Sequence, residues 1–192
     1  GLFHRAIAQS PYTTTVTPRQ AFNRNREFPE LDRGSWELLQ ALELDPDTTS
    51  ASALRSIDVY EIMSAYYSLE KDHLSPLSTA DGIVIPAVGM EQALADPQYA
   101  KSVPVLSGSN RDEVTLWTGL NRYFVNGDPV LFGLLPPRMS VKNEEMYRYW
   151  VDLRSRAWKA RGVDQAMLNL GEAGYENLYT YRFDWDEQAE SW

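Results

Sequence analysis

The chain contains no cysteine and only two histidines in 192 residues. Without cysteine, neither a disulfide framework nor a thiolate metal site is possible. That lack fits cytosol, periplasm and secretion equally, so the compartment stays unassigned. No stretch approaches the roughly 20 consecutive apolar residues of a membrane-spanning helix, and no signal-peptide pattern opens the chain. Positive charge is scarce as well: 18 Lys and Arg face 27 Asp and Glu, a net charge of −9. Such a balance argues against nucleic acid as a partner. Arg154, Arg156, Lys159 and Arg161 gather in one place, but on the polar face of a helix, where a solvated role is the simpler reading. Also missing are a Gly-x-Ser-x-Gly elbow, a glycine-rich phosphate loop and any His/Asp/Glu spacing suited to a metal. No cofactor or metal is therefore expected. His4 and His73 both lack a neighbouring nucleophile and acid, and read as structural or solvent-facing.

What is present is a globular composition, 43% apolar and 12% aromatic. Phe3–Ser10 reads as a short buried strand, and residues 11–34 as a surface excursion without a clear period. Helices are expected from Ser35, with Trp36, Leu39 and Leu42 on one face, and after Asp58, with Val59, Ile62, Met63 and Tyr66 at helical spacing. Residues 71–89 read as loop and 90–95 as a small helix. Asn143 caps an amphipathic helix whose apolar face is Met146, Tyr149, Trp150, Leu153 and Ala157. Val163, Met167 and Leu170 line another. Tyr179, Tyr181, Phe183 and Trp185 alternate with polar residues as a strand should. Helices between strands favour a parallel sheet and an α/β class.

One stretch carries most of the chemistry. Val103–Leu106 is a short apolar run, followed by the turn-forming cluster Ser107-Gly-Ser-Asn110 and two carboxylates, Asp112 and Glu113. A strand ending there would lift both acids off the end of the sheet, where ligands of open α/β sheets bind. Spacing alone leaves them as either functional groups or solvated loop charges.

Five segments in order resemble the type-B carboxylesterase (cholinesterase-like) family of α/β-hydrolases: Gly1–Ser10, Asp81–Pro86, Pro104–Glu113, Arg156–Arg161 and Tyr179–Glu187. The resemblance implies a single partial α/β-hydrolase domain over residues 1–192. It would have several mainly parallel strands with a helical excursion, and lack the N-terminal half and the C-terminal end. It implies that Glu113 is the acid of a Ser-His-Glu triad and that Ser10 is a supporting hydrogen-bond donor rather than the nucleophile. Asp112 is only a neighbour. Leu116 and Trp117 would line the acyl side of the substrate pocket, with helical core as the competing reading. Two departures from the family pattern are Pro11 and Val114, both where glycine is usual. The implied function is hydrolysis of small-molecule carboxylic esters through an acyl-enzyme. The nucleophile, oxyanion glycines and triad histidine would lie outside this chain, which alone is expected to be inactive. The alternative is a non-catalytic binding or adhesion protein of the same fold.

Overall fold

The computed structural model describes residues 3–31, 34–69, 78–99, 103–130 and 135–184. His73 and the end of the acidic 184–187 run, with Trp185, lie outside them. The strands are β1 (Ala6–Gln9), β2 (Val105–Asn110), β3 (Val125–Val130), β4 (Leu135–Val141) and β5 (Leu178–Phe183). The helices are α1 (Pro18–Phe22), α2 (Ser35–Ala41), α3 (Ala51–Ser56), α4 (Val59–Ser68), α5 (Met90–Ala95), α6 (Thr115–Leu120), α7 (Glu144–Trp158) and α8 (Gln165–Glu172). A π-helical turn, Lys159–Asp164, joins α7 to α8. The chain forms two compact units: Thr14–Ala93, and the residues up to Thr13 together with those from Leu94 onward.

The second of these carries a three-stranded sheet in the order β1-β2-β5, parallel throughout. The α/β expectation therefore holds, and helices do separate the strands. In register, Val105 lies between Ala6 and Leu178, and Ser107 between Ala8 and Thr180. Side chains alternate between faces along a strand, so Val105, Ser107 and Ser109 share one face of β2. Val105 and Leu178 pack there on the cluster Val163, Met167 and Leu170, all of it on the π turn and α8. Val163 is wholly buried. These three residues are the apolar face expected from their spacing.

Three local expectations need correction. The cluster Ser107–Asn110 is not a turn; it is the second half of β2, and the turn begins only at Arg111. Small residues are needed there because partners crowd both sides. A Cβ on Gly108 would stand 2.4 Å from the Tyr181 carbonyl oxygen and 2.3 Å from its ring, while Ser107 and Ser109 are buried on the face toward the π turn. β1 is a strand, but Ile7 is exposed on it, as is Tyr179 on the same face of the sheet. Residues 125–130 and 135–141, where Asn126-Gly127 and the prolines 129, 136 and 137 signal turns, form the antiparallel pair β3–β4. Its register shifts between Asp128 and Val130, which accommodates Pro129, a residue unable to donate to the ladder.

Helix α7 begins where expected, with the Asn143 side chain accepting from the Met146 N–H. Its buried residues, however, are Val151 and Ser155, not the large apolar stripe, and Met146, Tyr149 and Leu153 remain exposed. The helix approaches its neighbours through small side chains.

In the other unit, residues 14–31 are more ordered than their composition implies. Thr17 and Gln20 form a reciprocal capping box at the start of α1, and Asn23, almost fully buried, exchanges hydrogen bonds with the Phe28 backbone. Asp58 caps α4 by accepting from the Tyr60 N–H. Asp81 Oδ1 accepts from the backbone N–H groups of Ile83, Val84 and Ile85 at 3.0, 2.9 and 3.1 Å. The resulting turn presents Ile83 and Val84 to solvent.

Two outcomes follow from this packing. Replacing Leu170 by Ala should cost about 3 kcal/mol of stability in denaturant titration, whereas Leu168→Ala, on the exposed side of the same helix, should stay within about 0.5 kcal/mol. The three backbone donors hold the Asp81 carboxyl below its ordinary value. A lowered folded-state pKa gives stability that is present above the unfolded value of about 3.9 and lost as pH falls through the folded value. Amide resonances of Ile83–Ile85 should therefore hold steady down to about pH 4 and move below it. A transition centred between about pH 5 and 8 would contradict this.

Candidate active-site carboxylate

At the carboxyl end of the sheet, β1 and β2 deliver Ser10 and Glu113 to one point. Ser10 directly follows β1, and its N–H donates to the Gly108 carbonyl at 2.7 Å, continuing the ladder by one residue. The chain then leaves the sheet with Ser10 at φ 51°. Glu113 sits in the turn after β2. The Ser10 hydroxyl donates to Glu113 Oε2 at 2.8 Å, and the Asn110 backbone N–H donates to the same oxygen at 2.8 Å. Among the described residues no hydrogen bond reaches Oε1. The side chain is half-buried, so one carboxylate oxygen is fixed and the other is left to accept.

Asp112 is differently placed. It is exposed and pairs with its neighbour, Arg111 Nε to Asp112 Oδ2 at 2.8 Å. A second ion pair lies at the end of β5, where the Arg182 guanidinium holds the Asp184 carboxyl below its usual range and is itself raised by it. These pairs are exposed and contribute little to stability. They account for the local charges without engaging Glu113.

Helix α7 supports the turn from below. The buried Val114 N–H donates to Ser155 Oγ at 3.3 Å, and Thr118 Oγ1 donates to the Val114 carbonyl at 2.9 Å. Val114 is itself buried, so its side chain is packed inward. Ser155 escaped the sequence reading, since a single serine between charged residues carries no periodic signal. Leu116 and Trp117 lie on α6 in the same turn region and are 64% and 66% exposed. His4 precedes β1, at the opposite end of that strand from Ser10, and is exposed. An apolar concavity of about 400 Å³ also lies at that opposite end, lined by Ile7, Pro104, Leu106 and Tyr179 among others. No group of three or more His, Asp or Glu among the described residues is arranged to hold a metal ion. No described helix is long and apolar enough to cross a membrane.

Chemically, the arrangement is a carboxylate with preset orientation, suited to accepting one further hydrogen bond from a cationic or N–H donor.

No family model matches the chain, and no curated protein matches it. Among solved structures it is similar to the carboxylesterase EST55 of Geobacillus stearothermophilus, determined at pH 6.2 and at pH 6.8. The TM-scores are 0.59 and 0.58, at 21% and 24% identity, over 98% and 97% of this chain. The fold is thus carboxylesterase-like. The chain spans about two fifths of that protein, 40% and 38% of its length in the two structures.

The support from α7 is testable. Ser155→Ala leaves the buried Val114 N–H without its partner and should destabilise the protein by about 2 kcal/mol, read by denaturant unfolding. Replacing the exposed Ser52 by Ala should change stability by less than about 0.5 kcal/mol.

Proposed function

We propose that this chain is part of a serine carboxylesterase, in which Glu113 is the acid of a Ser-His-Glu triad. The observation that carries the proposal is the asymmetric carboxylate: Oε2 takes the Ser10 hydroxyl and the Asn110 N–H, while Oε1 takes no hydrogen bond from the described residues. In such a triad the acid accepts from the Nδ1–H of the histidine. It thereby fixes the tautomer that leaves Nε2 free to take a proton from the nucleophile, and it stabilises the imidazolium that forms. A carboxylate tethered at one oxygen performs that task without reorganising during the reaction. Ser10 is the tether, not the nucleophile, since its hydroxyl is already donated to the acid. The likeness to a carboxylesterase supports the ester substrate class, and the position of Leu116 and Trp117 on the exposed side of the Glu113 turn supports their lining a pocket.

On this reading the nucleophile, the oxyanion-hole donors and the histidine come from sequence flanking residues 1–192. Coding sequence on both sides should show a Gly-x-Ser-x-Gly one helix before Gly1 and a histidine soon after Trp192. A replaced serine there would instead favour a binding protein of the same fold. In the intact protein Glu113→Gln should lower kcat for a short-chain nitrophenyl ester by about three to four orders of magnitude. Asp112→Asn should leave kcat within about threefold, as for other exposed charge changes. The 192-residue chain alone should not turn the ester over; turnover by it that Glu113→Gln abolishes would overturn the proposal.

A further inference from the structure

The segment that leaves the sheet at Ser10 is held by the helical run from an unexpected place. Gly162, inside the π turn, passes so close to Pro11 that a Cβ would stand 2.1 Å from the Pro11 carbonyl oxygen. That oxygen is backbone and has no rotamer with which to yield. Beside it, the rings of Tyr12 and Trp158 meet at 5.4 Å between centroids, and Thr13 Oγ1 lies 3.5 Å from the Arg161 carbonyl oxygen. Three consecutive residues, 11 to 13, are therefore seated on the end of α7 and the π turn. Both ends of that turn are closed on each other by Lys159 Nζ and Asp164 Oδ2 at 2.7 Å.

Ser10 needs such a seat. A positive φ is unfavourable for a residue with a Cβ, and a residue before proline is driven toward extended backbone. With φ 51° immediately before Pro11, Ser10 violates both preferences, and such a conformation persists only where its surroundings over-determine it. From the sheet side the Gly108 carbonyl fixes its N–H. From the other side the Gly162 backbone packs against the next residue.

We propose that Gly162 is a positioning residue for Glu113: its missing side chain lets Pro11 sink onto the π turn, which holds Ser10 in the backbone conformation from which its hydroxyl reaches Oε2. Its bearing on catalysis rests on the reading of Glu113 as the triad acid, but the placement of Ser10 does not. The test therefore reads the hydrogen bonds themselves, in the 192-residue chain and without any ester. The Asn110 N–H shares Oε2 with Ser10, so its hydrogen exchange reports how firmly Glu113 is held. Gly162→Ala should accelerate exchange at Asn110 about tenfold, the loss expected for one hydrogen bond to a charged group. The ladder amides of Val105 and Arg111, bonded to Asn177 and Phe183, should be unchanged. In a Ser10→Ala background, where the tether is already gone, Gly162→Ala should add nothing at Asn110. A generally loosened fold would instead give equal, additive losses in both backgrounds.

Should Gly162→Ala fail to fold, Tyr12→Ala removes the flanking ring contact at an exposed site. It should accelerate Asn110 exchange about threefold, again only when Ser10 is present. Acceleration independent of Ser10, or none in either variant, would overturn the proposal. Neither result depends on esterase activity, so failure here is distinguishable from failure of the functional reading, which the Glu113→Gln kinetics decide.

Discussion

Two hydrogen bonds to one oxygen organise the carboxyl end of this protein's parallel sheet. The Ser10 hydroxyl and the Asn110 N–H converge on Glu113 Oε2, and the donors come from different strands. Ser10 closes β1, Asn110 closes β2, and the parallel register of those strands brings their carboxyl ends level. A carboxylate accepting from one strand alone would be a turn cap. Accepting from both, Glu113 also ties the strand ends to each other. Hydrogen bonds to a charged acceptor are among the stronger ones available, and half-burial of the side chain weakens competition from water.

The helical layer completes the geometry through small residues. Ser155 in α7 satisfies the Val114 N–H under the Glu113 turn, and Gly162 in the π turn admits Pro11 beside Ser10. Ser107, Gly108 and Ser109 keep β2 thin enough for β5 on its edge and the helices on its face. The larger side chains are spent elsewhere. Val163, Met167 and Leu170 close the core at the other end of the sheet face, while Tyr149, Leu116 and Trp117 stay exposed. Packing with small residues gives close, rigid approach of backbone to backbone, which suits a site that must hold one carboxylate oxygen in place.

The parallel α/β arrangement was legible in the chain, because helical periods separate the apolar runs of β1, β2 and β5. The Val163–Leu170 core was legible for the same reason. Glu113 and Ser10 stood out through the segments that surround them rather than through spacing, which left both acids ambiguous. Other features were hidden by physics that a single sequence does not display. Ser-Gly-Ser resembles a turn until the neighbours that require small side chains are in place. The β3–β4 pair contains Asn-Gly and three prolines, so local propensity opposed a strand that pairing then imposed. The buried face of α7 was misread because size was taken as the sign of burial, whereas that helix packs through Val151 and Ser155. Gly162 gave no signal at all, since the residue that crowds it, Pro11, is distant in sequence.

A crystal structure of the intact protein with a phosphonate ester analogue bound tests most directly whether Oε1 of Glu113 serves a histidine. The expected result is a histidine Nδ1 at about 3 Å from Oε1, with Oε2 still accepting from Ser10 and Asn110. A Glu113 carboxylate turned to solvent, or a histidine oriented by a different acid, would contradict it.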